Sequence, residues 1–168
     1  MAISMYQASA PRFVNILKNL STMLDKAQAH AEAKKIDPAA LTTYRLFPDM
    51  FPLTRQVQIA CDSAKGAVAR LAGVEIPKHE DVEQTLVDLK ARIAKTIAFI
   101  ETIKPAQLDG TEDKEIVLKL GGKETAFKGM QFLLGHAVPN FYFHVTTVYN
   151  ILRHNGVEIG KKDFIGTP

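Results

Sequence analysis

Four stretches of this chain repeat apolar residues every three or four positions, and proline or glycine marks the gaps between them. That spacing lays a stripe along one side of an α-helix, and it constrains the fold more than any other feature. In the first stretch, from Tyr6 to about Ala33, the stripe is Phe13, Leu17, Leu20, Leu24 and Ala27, with Lys18, Asp25 and Lys26 opposite. Pro52 suits the first turn of the second helix, where a missing N–H leaves nothing unpaired. Leu53, Val57, Ala60, Cys61, Ala64, Val68 and Leu71 follow, and Gly73 closes that helix. The third begins after Pro77, runs on Val82, Leu86, Leu89, Ile93, Ile97 and Ile100, and stops before Pro105. The fourth spans from about Thr125 or Gly129 to Asn155, with Gly156 as the residue that ends it.

Four such helices bury one another's stripes as a bundle, so the expected fold is all-α, a four-helix bundle in one domain over residues 1–168. The link IDPAALTTYRLFPDMFP is long and implies a crossover between helices 1 and 2. Its Tyr44, Leu46, Phe47, Met50 and Phe51 are expected to lie across the end of the core. Before the fourth helix, KEIVLKLGGKETAFKG alternates Ile116, Leu118 and Leu120 with polar residues around Gly121-Gly122, the pattern of a short β-hairpin. In the tail, Phe164 and Ile165 are available as anchors.

Charge and composition narrow the partners. A formal net charge of +3, with both signs interspersed, offers no basic stripe for a phosphate backbone, so nucleic acid is excluded as a partner. No apolar run reaches the ~18 residues of a membrane span, and the N-terminus lacks the pattern of a signal peptide. The single Cys61 has no partner for an internal disulfide and reads as a buried, inert small hydrophobe. The expected location is the cytoplasm. Ser63 and Thr147 have no His/Asp arrangement in sequence to activate them, and GGKE lacks the spacing of a phosphate loop.

The fourth helix carries the chemistry. At ~100° per residue, Leu133, Ala137, Asn140, His144, Val148 and Ile151 share one arc, so Asn140 and His144, four residues apart, point into the core. His136 and His154 sit on its shoulder, and Tyr142, Val145 and Tyr149 form a second apolar strip. Two readings of the pair stand open: a metal half-site through His144, or a buried imidazole satisfied by hydrogen bonds. His136 is a further ligand or a hydrogen-bonding neighbour. His30 and His79 read as solvent-facing or capping residues, and Pro139 as a local kink.

The segment PNFYFHVTTVYNILRHNGVEIGKKDFIG resembles the C-terminal signature of an uncharacterised bacterial domain-of-unknown-function family within the DinB/YfiT-like superfamily. RLFPDMFPLTRQVQIACDSAK resembles the second-helix signature of the same family. The resemblance implies a four-helix bundle with a long first link and, in many members, a divalent metal held by one histidine of the second helix and an H-x-x-x-H pair of the fourth. Some such members transfer or isomerise low-molecular-weight thiols, and many are homodimers. Here His144 matches the second histidine of the pair, Asn140 replaces the first, and Gln56 takes the place of the second-helix histidine. Two neutral amides and one imidazole are weak ligands for zinc or nickel.

The resemblance therefore implies a homodimeric, small-molecule-binding or interaction bundle with a degenerate metal site and no resident cofactor. The alternative is a divalent-metal enzyme of the thiol-transferase or isomerase type, with zinc, nickel or manganese on His144. In either case the expected cleft is lined by Gln56, Asn140, His144 and His136, with Tyr44 and Asp49 of the link covering its mouth.

Overall fold

The computed structural model describes residues 3–166. The chain is mostly helical, with four long helices: α1 (Ala10–Lys34), α2 (Leu53–Ala72), α3 (Leu86–Thr102) and α4 (Val138–His154). A two-stranded antiparallel hairpin, β1 (Glu115–Leu120) and β2 (Lys123–Lys128), precedes α4. Helix α2 packs against both α4 and α3, while α1 lies mainly on α3. Residues of all four helices meet in a contiguous hydrophobic cluster. Among the described residues no helix is long and apolar enough to cross a membrane.

Several boundaries differ from the expectation, each for a local reason. The first stretch is divided at Ser9, whose hydroxyl donates to the Met5 carbonyl at 2.6 Å, and α1 then starts at Ala10 with Pro11 in its first turn. Helix α3 begins at Leu86 rather than after Pro77, and Val82 is 69% exposed. The start is set by a capping box. The Thr85 hydroxyl accepts from the Asp88 N–H at 3.1 Å, and the Asp88 carboxylate accepts from the Thr85 N–H at 3.0 Å. Thr125 lies in β2, so helical structure resumes only at Gly129. The hairpin turns on Gly121 and Gly122 at φ 55° and 85°, the positive pair that a two-residue turn of this hand demands.

The link is folded, as its apolar content suggests, with a helical turn at Ala39–Thr42 and a Leu53 N–H to Tyr44 carbonyl bond of 3.0 Å. Not all its apolar residues are buried, however. Phe47 and Phe51 are 62% and 52% exposed, and the chain makes a tight turn at Pro48, with the Met50 N–H donating to the Phe47 carbonyl at 3.0 Å. At the other end, Phe164 packs edge-on against Tyr149, while Ile165 stays exposed.

Helix α2 is the element that the rest surrounds: thirteen of its twenty residues are buried, Gln56, Gln58 and Lys65 among them. Toward α3 its polar residues meet Arg92, which is 2% exposed. Arg92 donates to Asp62 at 2.9 Å and to Glu83 at 3.1 Å, and it pairs with Asp81 at 3.0 Å. Lys65 adds a bond to Asp62 at 2.8 Å, and Gln58 one to Glu83 at 2.9 Å. This cluster ties the irregular segment between α2 and α3 to both helices. Burial pushes the Glu83 carboxyl upward, but hydrogen bonds from Gln58 and Arg92 more than offset it, so its pKa is held below the ordinary glutamate value.

Removing Arg92 leaves three carboxylates without their shared cation. Arg92→Ala is expected to lower stability by about 3 kcal/mol, at the lower end for a broken buried pair because Asp62 and Asp81 are partly hydrated. Urea unfolding checks this. A depressed carboxylate contributes stability above its unfolded pKa that is lost as the pH falls through the folded value. Glu83→Gln is therefore expected to flatten the loss of stability with falling pH below about 4.5.

Candidate functional site

The seam between α2 and α4 carries the polar residues that the sequence singles out. Gln56 in the first turn of α2 meets His144 in the middle of α4, and Ser63 two turns on meets Asn140, so the helices run antiparallel. Gln56 and His144 are joined by a bond of 2.6 Å between Oε1 and Nδ1, with Gln56 1% and His144 8% exposed. Gln56 Nε2 donates to the Phe51 carbonyl at 3.1 Å, which turns its oxygen toward the imidazole. An acceptor on that side requires the hydrogen on His144 Nδ1, and Nε2 keeps its lone pair. Burial, reinforced by the nearby Arg55 guanidinium, holds the His144 pKa below its ordinary value. The ring is therefore neutral at pH 7, with the ring of Phe143 edge-on to it.

Asn140 does not join this pair. Its Nδ2 donates to Ser63 Oγ at 2.7 Å, leaving the serine hydrogen and the amide oxygen uncommitted. Upstream, the expected kink at Pro139 takes the form of a π-turn over Leu133–Ala137, with the Val138 N–H bonded to the Leu133 carbonyl. A proline ring crowds the carbonyl four residues before it and offers no N–H, and the wider turn accommodates both defects. His136 lies in this turn. Its ring stacks on Phe132 at 6.1 Å and meets Phe127 of the hairpin at 5.9 Å, instead of hydrogen-bonding in the seam.

Beyond the Ser63–Asn140 contact the seam opens into a groove of about 400 Å³. Ser63, Ala67 and Arg70 of α2 form one wall, and Phe132, His136 and Asn140 form the other. Val117 to Leu120 of β1 cover it. Ser63 and Arg70, neither of them in the expected lining, are both legible in the spacing. They follow Gln56 by seven and fourteen residues, two and four turns along one face. Arg92 is less legible, standing three residues after Leu89 and beside Ile93 at the edge of the α3 stripe.

The remaining candidates stand apart. Tyr44 packs against His154 at 5.7 Å, and Asp49 is exposed on the link. His79, expected to face solvent, has a buried Nδ1 with no hydrogen-bond partner, and its pKa is lowered by burial and by Lys65 and Arg92. Cys61 is fully buried, and that burial pushes its thiol up to about 12, so it stays protonated and unreactive.

Residues 5–165 match the family described as a domain of unknown function, DUF1993. The chain belongs to the DUF1993 family. The DUF1993 chain is also similar to a crystal structure of a DinB family member protein from Shewanella denitrificans, with 46% sequence identity and a TM-score of 0.89. That match covers 97% of this chain and 92% of the other. None of the functionally curated proteins compared with it matches.

Metal association in the DinB-like superfamily makes the donor set the next question. Structural and catalytic divalent sites use imidazole, thiolate or carboxylate donors, three or more of them from protein at a zinc site. Among the described residues no group of three His, Cys, Asp or Glu is placed to hold an ion. Gln56 Oε1 already accepts from His144, and Asn140 is turned to Ser63. The residues of this seam do not fit such an ion.

The tautomer and the sign of the His144 shift make a direct prediction. Nitrogen-15 spectra are expected to show the hydrogen on Nδ1 and a midpoint below about 6.5. Because the folded pKa is lowered, the stabilisation from neutral His144 is complete above that pH and is lost as the pH falls through the folded value. His144→Ala is expected to cost about 1–3 kcal/mol by orphaning Gln56 Oε1, as read by thermal or urea unfolding.

Proposed function

We propose that this DUF1993 chain is a small-molecule-binding or interaction protein, a DinB/YfiT-like four-helix bundle whose metal site is degenerate. The observation that carries the reading is the 2.6 Å bond between His144 Nδ1 and Gln56 Oε1. It occupies the donor that would replace the second-helix histidine, and the Ser63 bond turns Asn140 away from His144. In place of a metal centre the seam offers a polar floor next to an open groove, which is the form of a binding site. In this reading the protein is cytoplasmic, has a single domain and needs no cofactor.

The reading includes a homodimer. Apolar Leu134 and Phe143 are 52% and 56% exposed, and Phe51 of the link is 52% exposed. Exposed large apolar side chains suit self-association. Sedimentation at micromolar concentration is expected to return twice the monomer mass; a monomer would remove this part of the proposal.

The alternative is a divalent-metal enzyme of the thiol-transferase or isomerase type, for which His144 Nε2 would be one ligand. Metal analysis of untagged protein and thermal shifts with zinc, nickel and manganese separate the two. No co-purifying metal and no appreciable rise in melting temperature are expected. A stoichiometric ion that raises the midpoint by several degrees, as ligand linkage requires, and that is lost in His144→Ala would overturn the proposal.

A further inference from the structure

We propose that the groove between α2, the hairpin and the start of α4 binds a small apolar carboxylate, with Arg70 holding the carboxylate head. This names the ligand class for the binding reading above and rests on it.

Arg70 is the observation that singles out the groove. Its guanidinium has five donors, yet among the described residues it makes no hydrogen bond and no ion pair. It is half-buried, and desolvation lowers its pKa with no carboxylate to offset the shift. The other deeply placed cations of α2 and α3 are paired: Lys65 with Asp62, and Arg92 with three carboxylates. Withdrawing a lone guanidinium from water without a partner is costly, and an anion supplied from outside offsets that cost.

Gly66 keeps the guanidinium there. A Cβ on Gly66 would stand 2.5 Å from Arg70 Nη1, so the arginine head lies across a bare turn of its own helix. The acid that lines the groove, Asp62, is already committed to Arg92 and Lys65 at 2.9 and 2.8 Å. The uncommitted charge of the lining is therefore positive, with Lys119 on β1 adding to it. One planar guanidinium matches the two oxygens of a carboxylate, whereas a polyphosphate needs several cations.

The rest of the groove suits the rest of such a ligand. The free Ser63 hydrogen and Asn140 oxygen offer one donor and one acceptor beside Arg70. Val117 and Leu120 of the cover are 50% and 37% exposed, with Phe132 opposite, so an apolar body would bury surface that is otherwise wet. A groove of about 400 Å³ lies within the range of small-ligand sites.

The test uses EDTA-treated full-length protein and amide chemical shifts. Acetate, phenylacetate and naphthylacetate are titrated beside their neutral amides and beside phenyl phosphate. At least one carboxylate is expected to shift the amides of Ala67, Lys119 and Asn140 and to bind at least about tenfold tighter than its amide, a charge-assisted difference. Arg70→Gln and Gly66→Ala are both expected to reduce that ratio below about twofold. Gly66→Ala raises helix propensity and its Cβ meets only the Arg70 head, so it is expected to keep the melting temperature while losing discrimination. No shift from any carboxylate at about 10 mM, equal affinity for acid and amide, survival of the preference in Arg70→Gln, or tighter phosphate binding each overturns the inference. Binding that appears only on adding zinc and tolerates Arg70→Gln would overturn the binding reading as well. Equal binding of acid and amide by the unmutated protein, with no metal effect, overturns the carboxylate alone.

Discussion

Helix α2 is enclosed on almost every side, and the polar groups buried along it must find partners inside the protein. A helix with one wet face leaves such groups to water. Here Gln56 is answered by His144, Gln58 by Glu83, Ser63 by Asn140, and Asp62 with Lys65 by Arg92. Each pairing fixes a neighbour: the first and third set α4 on one side, and the second and fourth set α3 and the preceding loop on the other. The arrangement around α2 is held as much by this accounting as by its apolar stripe.

The two polar clusters differ in what they make available. Toward α3 the charges balance, since Arg55, Lys65 and Arg92 face Asp62, Asp81 and Glu83, and hydrogen bonds absorb most of their donors. Such a cluster positions chain and does little chemistry. Toward α4 the groups are mostly neutral, and several bonding positions stay open: His144 Nε2, the Ser63 hydrogen, the Asn140 oxygen and the whole guanidinium of Arg70. Function is sought on that side because recognition needs uncommitted donors and acceptors near an accessible surface.

The π-turn links the sequence to the site. Pro139 disturbs the helix, the preceding turn widens, and His136 is carried onto Phe127 and Phe132 while Asn140 reaches Ser63. A uniform helical wheel places His136, Asn140 and His144 along one face as a possible ligand set. The irregular turn divides them among three different neighbours. Such turns recur at functional sites, where a change in register presents side chains that a regular helix would keep in line.

Much of the fold was legible in the sequence because it depends on local periodicity. The four apolar stripes, the Gly-Gly hairpin, Gly73 and Gly156 as helix ends, and the inward direction of His144 all follow from spacing and backbone sterics. The start of α3 was legible too, in Thr85 and Asp88, had the capping box outweighed the apolar Val82. What only the tertiary structure decided were the partners. Whether Gln56 meets His144 or a metal, whether Asn140 turns to His144 or Ser63, and whether Arg92 is solvated or buried among three acids depend on residues 9 to 88 positions apart. Periodicity specifies which way a side chain points, but a hydrogen bond or an unpaired charge depends on what the packed neighbour brings opposite it.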